Sequence, residues 1–225
     1  MENNTFVWET SRRSDGDMRD QSMRSLFFKK KNINPQNVFL LKQIHSNRVV
    51  FVDEETDISQ EADGMIANVP GFFLGVLTAD CVPVVFFETE KKLWGIAHAG
   101  WKGITQGIIK NLIAQMILSG SDSTKLNVSI GPHIGSCCYS VLENRAHFFL
   151  QKTDANEQIV RKDNGQFFLD IGMAVYDDLI SQGIRKEHID SRVFCTSCDK
   201  ERFFSFRRDS KESFGEIITF IGMRN

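Results

Sequence analysis

Apolar residues are most densely packed between Phe72 and Ile117, and their spacing predicts strands followed by a helix. The runs Phe72 to Leu77 and Val82 to Phe87 are short, β-branched and aromatic, as buried strands require. They flank an Ala79-Asp80-Cys81 corner, and a third run, Leu93 to Ala97, ends at His98. Cys81 and His98 therefore fall at chain bends bordered by small residues. After Ala99-Gly100-Trp101-Lys102-Gly103 the period changes. Ile104, Ile108, Ile109, Leu112, Ile113, Met116 and Ile117 form the buried stripe of a helix that Gly120 stops.

On the N-terminal side, Thr5 to Trp8 predicts an edge strand and Ser22 to Lys31 a short helix. Ser11 to Asp20, dense in Arg and Asp, predicts a loop over a site. Val38 to Ile44 and Arg48 to Val52 predict two strands, with His45 at the end of the first. Ala62-Asp63-Gly64-Met65 reads as a turn. Beyond the central helix, Leu126 to Ile130 predicts a strand running into Gly131-Pro132-His133-Ile134-Gly135-Ser136, a bend able to offer backbone N–H groups to an anion. Val141 to Gln151 and Ile171 to Gln182 predict helices, the second capped by Asp170 and stopped by Gly183. Ile189 to Phe194 and Glu216 to Ile221 predict strands, with the guanidinium groups of Arg207 and Arg208 between them. Strict βα alternation is absent. The pattern predicts an α+β fold, a mixed β-sheet or β-sandwich flanked by helices, with residues 1–225 forming one domain.

Composition narrows the function classes. Hydrophobic residues make up 41% and charged residues 25% of the 225, and the formal charge is −2, with basic residues scattered, so no footprint for nucleic acid is expected. No apolar run approaches the roughly 18 residues that span a bilayer, and the N-terminal residues lack the basic and apolar regions of a signal peptide. The five cysteines, two of them adjacent, suit a reducing compartment, so the expected location is the cytoplasm.

The ligand types at the strand ends suggest chemistry. His45, Cys81 and His98 offer two imidazoles and a thiolate, a set that zinc prefers and that leaves a fourth position for water or substrate. Two uses of the same residues compete with zinc. In one, Cys81 is a nucleophile with His98 as its base; in the other, copper occupies a His2Cys set. With five histidines and no His-x-His pair, the chain lacks the imidazoles of a multinuclear copper cluster. Cys195-Thr196-Ser197-Cys198 is a single CxxC with no second half, which supports neither a zinc ribbon nor a redox site.

The ordered segments LKQIHSNRV, ADGMI, LTADCVPVVFF, GIAHAGWKG, IGPHIGSCCYSV and FFSFRRD resemble the YfiH family of bacterial laccase-domain proteins over residues 38 to 221. The resemblance implies a catalytic zinc on His45, Cys81 and His98, with copper less favoured. It also implies purine nucleoside phosphorylase and adenosine deaminase activity. The expected partners are a purine nucleoside and phosphate, with no nucleic acid or membrane, and the expected state is a monomer or homodimer. Within that expectation Lys102 and Arg208 are candidate cations for phosphate, Asp80 a proton carrier or orienter, and Trp101 a stacking surface for the base. Gln43, two residues before His45, is expected on the same strand face and in the pocket. Two departures stand out. Residues 1–37 diverge from the family's N-terminal segment, and Gly215-Glu216-Ile217 replaces Gly-Arg-Met, an anion for a cation.

Overall fold

The structure, a computed structural model, describes residues 6–153, 158–191, 194–209 and 214–224. In chain order its strands begin with β1 (Phe6–Thr10), β2 (Val38–Phe39), β3 (Val49–Phe51), β4 (Gly64–Ala67), β5 (Phe73–Thr78), β6 (Val82–Glu88) and β7 (Leu93–Ala99). They continue with β8 (Asn127–Ile130), β9 (Ser140–Val141), β10 (Val160–Asp163), β11 (Gln166–Leu169), β12 (Ile189–Asp190) and β13 (Ile217–Met223). The helices are α1 (Gln21–Lys30), α2 (Trp101–Thr105), α3 (Ile108–Leu118), α4 (Glu143–Lys152) and α5 (Ile171–Ser181). The fold is mixed α+β, and no helix among the described residues is long and apolar enough to cross a membrane.

Side-chain alternation sorts these strands into layers. A six-stranded sheet runs β12-β8-β6-β7-β4-β3 and a four-stranded sheet β1-β13-β5-β2. On β6, Val82, Val84 and Phe86 face the helical side, where they meet Ile108, Leu112 and Met116 of α3 and Val175 and Leu179 of α5. On the opposite face, Val85 joins Trp94 and Ile96 of β7 and Met65 of β4 in a core shared with Leu74 and Val76 of β5 and Ile221 of β13. The far face of the four-stranded sheet packs Ile218, Phe220 and Phe73 against Phe27 and Phe28 of α1. The order is thus helix, sheet, sheet, helices. The period of two has one further consequence: His98 lies on the same face of β7 as Trp94 and Ile96, pointing between the sheets.

Several local expectations change. The helix expected from Ile104 onward is two, because Gly107 at φ +81° breaks the run between α2 and α3. Residues 64–67 are the buried strand β4 rather than a turn. Of the first expected strand, Val38 and Phe39 form β2 and Lys42 adds an isolated bridge to Glu61; of the run to Phe194, whose residues 192–193 lie outside the described residues, Ile189 and Asp190 form β12. A hairpin, β10 and β11, stands where no element was read; Asn164 and Gly165 turn it with φ +46° and +79°, both in the left-handed region such a two-residue turn requires.

The Phe220 ring lies 5.1 to 6.2 Å from the rings of Phe27, Phe28 and Phe73, so truncating it opens a cavity with aromatic walls. Phe220→Ala is expected to lower unfolding stability by about 3–5 kcal/mol, read from a urea transition. The same change at half-exposed Phe51 is expected to stay within about 0.5 kcal/mol.

Candidate metal centre and cavity

The chain passes from one sheet to the other at Ala79-Asp80-Cys81, between the end of β5 and the start of β6. Register brings further termini to this corner. Val82 is opposite Ala99, Gly64 opposite Ala97, and Thr78 opposite Ile217. Five strands from two sheets, β4, β5, β6, β7 and β13, thus meet where Cys81 leaves the corner and His98 nears the end of β7.

A buried carboxylate organises the point of meeting. Asp63, just before β4, accepts Nδ1 of His98 at 2.8 Å. It also accepts the backbone N–H groups of Ile44, His45 and Ser46 at 3.2, 3.0 and 2.6 Å, and the Ser46 hydroxyl at 2.7 Å. One side chain therefore fixes the tautomer of His98 and folds the 44–46 segment around it. That segment turns sharply enough to put His45 at φ +60°, a conformation non-glycine residues adopt rarely. The ring of His45 then stands 4.8 Å from that of His98, nearly perpendicular to it.

Ligand atoms of His45, Cys81 and His98 lie within 4.8 Å of one another. Gly100 leaves room for them, since a Cβ there would stand 3.0 Å from Cys81 Sγ and 3.1 Å from His45 Cδ2. The donor set fits a divalent metal. With Nδ1 bonded to Asp63, His98 has its Nε2 on the side of the Cys81 thiol, and a carboxylate behind a ligating imidazole is the usual way such a ligand is oriented. Burial pushes the Cys81 thiol up, but the charges and hydrogen bonds of His98 and His45 outweigh it and bring the thiol down to about 7. Burial likewise opposes a charge on His98, and Cys81 with Asp63 overcomes it, raising His98 to about 10. A thiolate is thus available near neutral pH for a metal or an electrophile.

The group opens into a cavity of about 600 Å³ between the sheet ends, the 134–145 segment and residues Phe206, Arg207, Phe214 and Glu216. Gln43, Asp80 and Trp101 lie on its wall. Gln43, however, spends its amide on the backbone of Leu77, donating to the carbonyl and accepting the N–H, both at 2.8 Å. Asp80, at φ +90°, accepts the Thr196 hydroxyl at 2.6 Å and the Arg207 N–H at 2.7 Å, so it holds the wall together. The structure does not bring Lys102 or Arg208 to the cavity. Lys102 is exposed on α2 with its ammonium 5.9 Å from the Trp101 ring, and the Arg208 guanidinium is taken up by Asp209 and by the carbonyls of Thr196, Ser197 and Phe203. The cations on the wall are instead Arg207, stacked 5.2 Å from Tyr139, and Arg145, 4.7 Å from Trp101.

The 131–136 bend is no anion cradle. The N–H groups of Gly131, His133 and Ile134 donate to the carbonyls of Pro83, Phe194 and Asp80, and that of Gly135 donates to Cys195 Sγ. Glu216 stands on the wall, and burial raises its carboxyl above the ordinary range despite the nearby charge of Arg19. Asp63 is hidden in the sequence because an Asp-Gly pair reads as a turn; its place within the ADGMI segment, immediately before the start of β4, is the available clue.

Residues 10–224 match the family described as multi-copper polyphenol oxidoreductase laccase. Relatives include "Purine nucleoside phosphorylase CA_C1699" of Clostridium acetobutylicum, 33% identical over 84% of this chain and 78% of the relative. "Purine nucleoside phosphorylase LACC1" of Mus musculus is 33% identical over 85% of this chain, which spans only 44% of that protein. "Adenosine deaminase RL5", from an unknown prokaryotic organism, is 28% identical over 78% of this chain and 71% of the relative. The crystal structure of YlmD from Geobacillus stearothermophilus superposes with a TM-score of 0.87 at 25% identity, covering 98% of this chain and 92% of the other.

Asp63 gives a test with a sign. Burial alone would raise its carboxyl; hydrogen bonds from His98 and Ser46 prevail and hold it at about 2. A carboxyl depressed in the folded state stabilises the fold above its unfolded value near 3.9 and loses that contribution as pH falls through about 2. Wild type is expected to lose roughly 2 kcal/mol from this group between about pH 5 and 2. Asp63→Asn should lack that part of the acid slope in urea unfolding and bind zinc about 10- to 100-fold more weakly by competition with a chelator.

Proposed function

The chain belongs to the multi-copper polyphenol oxidoreductase laccase family, and from that premise we propose that it is a zinc-dependent purine nucleoside phosphorylase that also deaminates adenosine. Adenosine, inosine and 5′-methylthioadenosine are the proposed substrates, and the cytoplasm the proposed location. The observation that carries this reading is the meeting of His45, Cys81 and His98 in a cavity whose wall holds two aromatic-stacked guanidinium groups. Its volume, about 600 Å³, lies within the range of small-molecule sites. Two imidazoles are too few for a multinuclear copper cluster, which favours purine chemistry over phenol oxidation.

His45, Cys81 and His98 would hold zinc, which would supply Lewis acidity and lower the pKa of water to near neutral. The chain's own side chains supply the rest. Arg207 and Arg145 present N–H donors to phosphate, and guanidinium suits a phosphate better than an ammonium because it can bond two oxygens at once. Trp101 and Tyr139 bring aromatic surface for the base to the same wall. Among the described residues no hydrogen bond satisfies the Glu216 carboxylate. Its raised carboxyl is suited to hand a proton to the departing purine, whose negative charge grows as the glycosidic bond breaks. Where the resemblance leads one to expect arginine, this position thus offers phosphate no cation.

One feature favours a second reading, a thiol hydrolase. Cys81, His98 and Asp63 form a chain of nucleophile, base and orienting carboxylate. Such an enzyme would keep its activity under chelation and lose it to thiol alkylation.

The test is chromatography of adenosine with and without phosphate. Adenine formed only with phosphate, or inosine formed without it, abolished in Cys81→Ala, is the expected result; no purine product from zinc-loaded protein would overturn the reading. Arg207→Ala is expected to raise the KM for phosphate about 10- to 100-fold, the loss of one charged hydrogen-bonding group. Glu216→Gln is expected to lower kcat for phosphorolysis by about 10²-fold or more.

A further inference from the structure

Four cysteines play no part in the cavity, yet they stand together. Cys137 and Cys138 lie between β8 and β9, Cys195 and Cys198 after β12, and all four Sγ atoms fall within 4.8 Å of one another. The pairs Cys137–Cys138, Cys137–Cys198 and Cys138–Cys198 are separated by 3.7, 3.6 and 3.4 Å. Four thiolates about 2.3 Å from one zinc sit about 3.8 Å apart, since a tetrahedron's edge is about 1.63 times its centre-to-corner distance. A disulfide would draw two sulfurs to about 2.05 Å and leave the other two outside. Here three thiols approach one another at the tetrahedral spacing and the fourth completes the group.

We propose that Cys137, Cys138, Cys195 and Cys198 form a structural zinc site, distinct from the His45, Cys81 and His98 group. The CxxC thus acquires the second half that the sequence did not display, from the adjacent pair that the topology delivers to it.

The backbone around the sulfurs is built to hold them. His133 N–H donates to the carbonyl of Phe194 at 3.2 Å, and Thr196 N–H to that of His133 at 2.9 Å, a short parallel bridge that locks the two segments in register. Gly135 N–H donates to Cys195 Sγ at 3.2 Å, the kind of outer bond that orients a thiolate ligand. A side chain at Gly135 would crowd the group, with its Cβ 3.3 Å from Cys137 Sγ and 3.4 Å from Cys195 Cβ. All four thiols are free, and Cys137 and Cys198 are exposed, which gives a metal ion an entry path. Four sulfur ligands close a tetrahedron and leave no position for substrate, so the site is structural rather than catalytic.

Its position gives it a consequence. The clamped segments carry Ile134 and Tyr139 to the cavity wall and hold Thr196, whose hydroxyl fixes Asp80 at the sheet corner. Zinc at the four cysteines therefore braces the wall from outside, whatever reaction the cavity supports.

The experiment is elemental analysis of the full chain purified in reductant with zinc, as wild type, His45→Ala/Cys81→Ala and Cys195→Ser/Cys198→Ser. The expected contents are about two zinc ions per chain in wild type and about one in each variant. The His45→Ala/Cys81→Ala protein retains only the four clustered cysteines, so the outcome does not hang on folding of the serine variant. Cobalt in this protein is expected to give the strong thiolate-to-metal absorption of four sulfur ligands, and chelation to lower its Tm by several degrees. Three results would overturn the proposal: no bound metal with four thiols reactive toward Ellman's reagent, a disulfide within the group by mass spectrometry, or the visible colour of iron in place of zinc.

Discussion

Much of this molecule's functional end hangs on the bonds made by one buried carboxylate. Asp63 accepts three successive backbone N–H groups, a hydroxyl and an imidazole N–H. Each donor in that set is individually worth little. Left unpaired in a buried place, each would cost roughly 1–3 kcal/mol, so the set stands or falls together. Through it the left-handed backbone of His45, the tautomer of His98 and the start of β4 become a single problem with a single solution.

The sandwich supplies the second constraint. Because the chain changes sheets at residues 79–81, the ends of β4, β5, β6, β7 and β13 gather at one corner, and the gap between diverging sheets becomes the cavity. Asp80 plays there the part that Asp63 plays deeper in. Its carboxylate ties the corner to Thr196 and Arg207, and so links the sheets to the segments that close the cavity. Structural carboxylates thus surround the metal-ligand group without belonging to it, and the one left unbonded among the described residues on the wall, Glu216, is the one available for proton transfer.

What the sequence disclosed follows from range. The strands near Phe73, Val82 and Leu93 and the helix at Ile108 were legible because their burial is written in a local period. His45, Cys81 and His98 were legible as ligand types at strand ends, and the sheet register brings them within reach. Partners distant along the chain left little local trace. Arg207 and Arg208 look equivalent in sequence, yet the first faces the cavity and the second is consumed by Asp209 and three carbonyls. The four clustered cysteines are adjacent only through the bridge at His133 and Cys195. The Asn164-Gly165 hairpin leaves its trace in turn chemistry alone, because each strand has only four residues and β10 carries Arg161, Lys162 and Asp163.

The most direct test of the account is an anomalous difference map, recorded at the zinc edge, from crystals of the zinc-loaded chain. The account predicts a peak within bonding distance of His45, Cys81 and the Nε2 of His98, with the Asp63 carboxylate still on Nδ1. A map with no peak among those three side chains, or with Asp63 itself as a metal ligand, would contradict it.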